Sequence, residues 1–165
     1  MSVIRVVWGS ATGPTAMSAY DAALAEANVH NYNLVTVSSV VPEGPPVEVV
    51  GTAPDLGPAG NRLTVVQGRR SVGPDEPGPA VAGLGWAREP SGRGIFYEAS
   101  GTDAESVRGE IRAGLERGGT LREWSLVDGD VLVRERASDP GRHTCTVVCA
   151  VYGRSTPIVE EPGSL

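Results

Sequence analysis

Short valine-rich runs, broken again and again by glycine and proline, constrain this chain more than any other feature. Residues 3–8, 31–38, 47–50, 62–70, 80–88, 94–99, 131–136 and 143–152 carry them. Such segments favour strands, and the 22 glycines and 13 prolines supply the turns between them. Only 5% of residues are aromatic against 40% hydrophobic, so the core must be built from Val, Ala, Leu and Ile. With 165 residues the chain suits one domain with a real core. Two stretches depart from the strand pattern. Thr15 can cap a helix carrying Met17, Tyr20, Leu24 and Ala27 at helical spacing. The run Thr102-Asp103-Ala104-Glu105 reads as a capping box for a helix with Ala104, Val107, Ile111 and Leu115 on one side, ending at Gly118-Gly119. Residues 9–14 read as a turn, 73–79 as a surface loop and 157–165 as a loose tail. Many strands and two well-separated helices predict one α+β sandwich with helices on outer faces.

Charge and composition exclude several functions. The net charge is −6 and no basic cluster exceeds Arg69-Arg70, so nucleic acid is not an expected partner. All 14 basic residues are Arg, and a chain without Lys cannot run a pyridoxal mechanism through a lysine Schiff base. No stretch approaches a membrane span or a signal peptide, and a cytoplasmic location is expected. Cys145 and Cys149 alternate with Val147 and Val151 on one strand face and read as buried small hydrophobes with reduced thiols. His30 and His143 lack metal-ligand spacing, and no metal is expected. The Gly9–Thr15 segment lacks the Lys of a phosphate-binding loop.

Ser38 and Ser39 are the most informative candidates for chemistry. They end an apolar strand immediately before Pro42, with Asn33 upstream. One reading is a strand end whose hydroxyls satisfy backbone groups. The other is autocatalytic: the Ser39 hydroxyl attacks the Ser38 carbonyl, giving an oxyanion that needs a donor. The resulting ester eliminates, cutting the chain, and loss of ammonia leaves a ketone on residue 39. Two carboxylates attract notice beside it. Asp21 borders the apolar side of the first helix, and Glu98 shares a strand face with Phe96, opposite Tyr97. Each is either a solvated edge residue or a functional charge. No Cys or His stands near the serines as a hydrolase triad would require.

Together these residues resemble the pyruvoyl-dependent arginine decarboxylase family. The resemblance runs from Gly9-Ser10 with Gly13-Pro14-Thr15, through residues 19–24, Asn33-Leu34 and Val37-Ser38-Ser39-Val40-Val41-Pro42, to residues 94–98 with Gly101, Trp124 and Ala150-Val151-Tyr152. Tyr97, Ala99 and the proline-rich stretch after Gly44 depart from the family pattern. The resemblance implies a four-layer αββα sandwich, assembled as trimers with active sites between subunits. It implies self-cleavage into 1–38 and 39–165, with Ser39 becoming a covalent pyruvoyl cofactor and Ser38 the new C-terminus. It implies that Asn33 assists processing, Glu98 is the catalytic acid, Asp21 receives the substrate guanidinium, and Leu24 and Val40 line the pocket. The implied reaction is decarboxylation of L-arginine to agmatine through a Schiff base, a lyase step of polyamine biosynthesis. Histidine or ornithine as substrate, and an unprocessed non-catalytic binding subunit, are the alternatives.

Overall fold

The computed structural model describes residues 2–160. The strands are β1 (Ile4–Gly13), β2 (Asn33–Thr36), β3 (Val40–Val41), β4 (Val47–Gly51), β5 (Arg62–Val72), β6 (Ala80–Arg88), β7 (Gly94–Gly101), β8 (Asp128–Arg136) and β9 (His143–Tyr152). The helices are α1 (Ala16–Glu26) and α2 (Ala104–Arg122). Five strands form one sheet in the order β2-β5-β9-β1-β4, and four form a second in the order β3-β7-β6-β8. The expected tail at 157–165 lies partly outside the described residues; residues 157–160 are exposed.

Alternation along the central strands explains the packing. On β9, Cys145, Val147, Cys149 and Val151 join Ala19, Ala23 and Leu24 of α1 in one apolar cluster. Val148 and Ala150 point the other way, into a cluster with Ala82, Leu84, Trp86 and Phe96 of the second sheet. A strand covered on both faces reads as a near-continuous apolar run, as β9 does. On the far side of the second sheet, Val81 and Ala99 pack with Val107 and Ile111 of α2. The result is one α+β domain. The two thiols are free and buried, as expected, and burial pushes the Cys149 thiol up to about 12. Among the described residues no helix is long and apolar enough to cross a membrane.

Four expectations need correction. Residues 9–13 are not a turn but the second half of β1, paired with β9 from Gly9↔Val147 to Gly13↔His143. Gly9 is required there because a Cβ would collide with the Ala23 carbonyl of α1. Met17 is not on the buried side of α1; it is 72% exposed, while Ala19, Ala23 and Leu24 are buried. The second helix is capped by Asp103, which accepts from Ser106 N–H at 2.9 Å, rather than by Thr102. Gly118-Gly119 does not end it. α2 continues to Arg122 and closes on Glu123 in the left-handed region (φ 57°). Its glycines serve close packing: a Cβ on Gly114 would enter the Tyr97 ring, and one on Gly118 would meet Ile95. Gly114→Ala is therefore expected to overpack this contact, at a cost of about 1–3 kcal/mol, and to lower Tm by roughly 2–10 °C. Calorimetry would show it, and an unchanged Tm would mean that α2 does not need the close approach.

Candidate active site

The crossing from one sheet to the other places Ser38 and Ser39. The chain leaves the first sheet at Val37, whose N–H donates to the Val65 carbonyl at 3.1 Å. It joins the second at Ser39, whose carbonyl accepts from Phe96 N–H at 2.7 Å. Beyond it β3 pairs with β7, Val40 opposite Ile95 and Val41 opposite Gly94. Ser38 thus spans the step between two anchored points. Ser39 takes φ 61°, the left-handed region that costs a non-glycine residue about 1–2 kcal/mol.

Ser39 faces Glu98. Its Oγ donates to Glu98 Oε2 at 3.1 Å. Glu98 points to the same side of β7 as Phe96, as the alternation predicts, but at the rim, where it is exposed. Ser38, Ser39, Glu98 and Tyr97 open into a cavity of about 450 Å³ whose far wall is the C-terminal half of α2, with Arg117, Leu121 and Arg122. Tyr152, at the end of β9, closes the group from the first sheet. Its hydroxyl donates to the Val40 carbonyl at 2.9 Å, and its ring meets Phe96 edge-on. Burial, with the Glu98 carboxylate nearby, pushes the Tyr152 phenol up to about 12, so it stays a donor at neutral pH.

The remaining expected residues lie elsewhere on the chain. Asp21, Leu24 and Asn33 line a second cavity of about 570 Å³, together with Met17, Tyr20, His30 and Tyr32. Asp21 is exposed and Leu24 buried. Asn33 starts β2, opposite Arg62, while Thr36 is opposite Val65. Those three residues of strand, at about 3.3 Å each, set Asn33 roughly 10 Å from Thr36, before the chain crosses to Ser39. Its amide donates instead to the Gly60 carbonyl at 2.8 Å. The chain therefore joins Ser38, Ser39 and Glu98, and separately joins Asp21, Leu24 and Asn33. Val40 sits beside the first group but is 44% exposed.

Sequence reasoning passed over Arg117, Arg122 and the individual contribution of Tyr152. The signal for the arginines was the Gly114–Gly118 spacing, which marks the α2 face pressed against β7. For Tyr152 it was alternation with Val148 and Ala150, which aims it between the sheets. Among the described residues no cluster of three metal-ligating side chains occurs.

The family model of pyruvoyl-dependent arginine decarboxylase (PvlArgDC) matches residues 3–157. A pyruvoyl-dependent arginine decarboxylase of Halobacterium salinarum is 48% identical over 162 residues, covering 98% of this chain and 100% of the relative. A protein of the same name from Pyrococcus horikoshii is 32% identical over 136 residues, covering 77% of this chain and 83% of the relative. Another, from Pyrococcus furiosus, is 31% identical over 152 residues, covering 87% and 91%.

Proposed function

The chain belongs to the pyruvoyl-dependent arginine decarboxylase family, and on that premise we propose that it converts L-arginine to agmatine and CO₂ through a pyruvoyl group made from its own Ser39. The observation that carries the assignment of Ser39 is its placement: a left-handed serine at the step between two sheets, with its hydroxyl on a carboxylate. Glu98 can draw the hydroxyl proton as Oγ attacks the Ser38 carbonyl. The backbone strain at Ser39 favours leaving the starting geometry. Elimination then separates 1–38 from 39–165, and water replaces the nitrogen of residue 39 as ammonia.

The residues around Ser39 fit the group. A pyruvoyl supplies a ketone that condenses with the substrate amine, and an adjacent amide carbonyl that can take up the electron pair released with CO₂. That carbonyl is the Ser39 oxygen on which Phe96 N–H already bears, a fixed donor where charge develops. Tyr152 and the β3–β7 pairing hold the cut end in place. Glu98 is the acid that returns a proton to the substrate α-carbon.

Asp21 receives the guanidinium, and Leu24 and Val40 flank the bound chain. These residues come together when subunits assemble as a trimer with sites between them, the second cavity of one protomer facing the first of the next. Asn33 then assists cleavage across the same boundary. Exposed apolar residues support this: Met17 at the rim of one cavity is 72% exposed and Leu121 at the rim of the other is 80% exposed. The layers read as an αββα sandwich, supported by the three apolar clusters on and between the sheets. The reading includes a cytoplasmic setting, with which two unpaired buried thiols agree.

Asp21→Asn tests substrate recognition. It is expected to fold and cleave itself but to lose about tenfold or more in kcat/KM for arginine, because a charge-assisted pair contributes about 1.5–3 kcal/mol. Steady-state kinetics with CO₂ detection measures this. Unchanged kinetics would make Asp21 a solvated helix-edge residue.

A further inference from the structure

Self-cleavage makes two new chain ends, and the ketone is only one of them. As the ester forms, the Ser38 carbonyl carbon takes on Ser39 Oγ. Elimination removes the Ser39 Cα proton and breaks its Cβ–Oγ bond, so Ser38 keeps both oxygens and one negative charge. This carboxylate arises in the cavity that already holds Glu98 and the last turns of α2. Carbonyls at a helix C-terminus repel an anion, and so does a neighbouring carboxylate.

Two cations on the same wall reverse that balance. Arg117 and Arg122 line the cavity with Ser38, Glu98 and Tyr97, the titratable and charged groups that face it. Among the described residues neither guanidinium takes part in an ion pair. Arg122 is partly tied down, donating to the Gly118 carbonyl at 3.2 Å and lying 5.7 Å from the Trp124 ring centre. Arg117 is exposed.

We infer that Arg117, backed by Arg122, forms a carboxylate site that takes up the new C-terminus at Ser38. Two sources of carboxylate reach this cavity, and the Ser38 end is favoured. It is tethered one residue beyond Val37, whose N–H is fixed to Val65, so its effective concentration is high. A substrate carboxylate must leave as CO₂, and pairing it with a guanidinium would stabilise the ground state against the transition state. Drawing the Ser38 end onto α2 also clears the approach to residue 39.

The inference rests on the cleavage reading, and the test separates the two. Full-length wild type, Arg117→Gln and Arg117→Lys are purified and weighed by mass spectrometry before a carboxypeptidase is added. An uncut chain at that point overturns the cleavage reading and this inference with it. With cut protein, loss of Ser38 from the 1–38 fragment is expected to be about tenfold or more faster in Arg117→Gln than in wild type, the scale of one charge-assisted hydrogen bond. Arg117→Lys should recover part of the protection, and raising the salt concentration should weaken it in wild type. Equal trimming in all three proteins overturns the inference. Equal trimming with a raised KM for arginine, and unchanged inhibition by agmatine, which has no carboxylate, assigns Arg117 to the substrate instead.

Discussion

Ser39→Ala is expected to give a single uncut chain with no measurable arginine decarboxylase activity. The substitution removes the only atom in the crossing between the sheets that is both nucleophilic and hydrogen-bonded to a carboxylate, Ser39 Oγ on Glu98 Oε2 at 3.1 Å. Without it there is no ester, no elimination and no ketone. The fold should survive, because the backbone contacts of residue 39 remain available: the Phe96 N–H to its carbonyl and the β3–β7 pairing beyond it. Denaturing electrophoresis and intact mass read the cleavage, and circular dichroism reads the fold. A cut Ser39→Ala chain would move the scissile bond elsewhere.

Glu98→Gln is expected to be the next most damaging change. Glutamine keeps the size and can still hydrogen-bond Ser39 Oγ, but it neither accepts the hydroxyl proton as a carboxylate does nor delivers one to the α-carbon. General acid–base contributions are typically about 10²–10⁴-fold, and a fall of that order in kcat with little change in KM is expected once the protein is cut. Cleavage should itself be slowed, since Glu98 touches Ser39 in the intact chain. The two effects are separable: cleavage is followed by mass over days, and turnover is normalised to the ketone present, counted by borohydride reduction. A loss in normalised kcat below about tenfold would remove Glu98 as the proton donor.

Periodicity made the strands legible. The runs read at residues 80–88 and 94–99 pair as β6 and β7, closing at Arg88↔Gly94, and the alternation that put Glu98 with Phe96 holds. The α2 stripe of Val107 and Ile111, with Ala104 and Leu115 beside it, was readable for the same reason. Glycine was the misleading letter. At Gly9 and Gly13 it suggested a turn, and at Gly118-Gly119 a helix end. In each case the residue is small because another element presses against it, which depends on tertiary packing that a local pattern does not encode.

The site divides along the same line. Ser38, Ser39 and Glu98 meet within one chain because β3 pairs with β7, a contact between neighbours in one sheet. Asp21, Leu24 and Asn33 gather around α1 and β2 at another cavity. Their separation from Ser39 follows from β2 and β3 belonging to different sheets, and no spacing along the chain reveals that. Arg117 and Tyr152 were hidden for a further reason: one looks like an ordinary helix cation until it is seen on the cavity wall, and the other like a strand-end aromatic until its hydroxyl is seen on the Val40 carbonyl.

The most direct test of the account is the intact mass of purified wild-type protein before and after borohydride. The account predicts two polypeptides, one of residues 1–38 and one beginning at residue 39 with a blocked N-terminus. Together they should weigh one water more and one ammonia less than the intact chain, and reduction should add two hydrogens to the larger piece alone. A single unmodified chain of 165 residues, in protein that releases CO₂ from arginine, would contradict it.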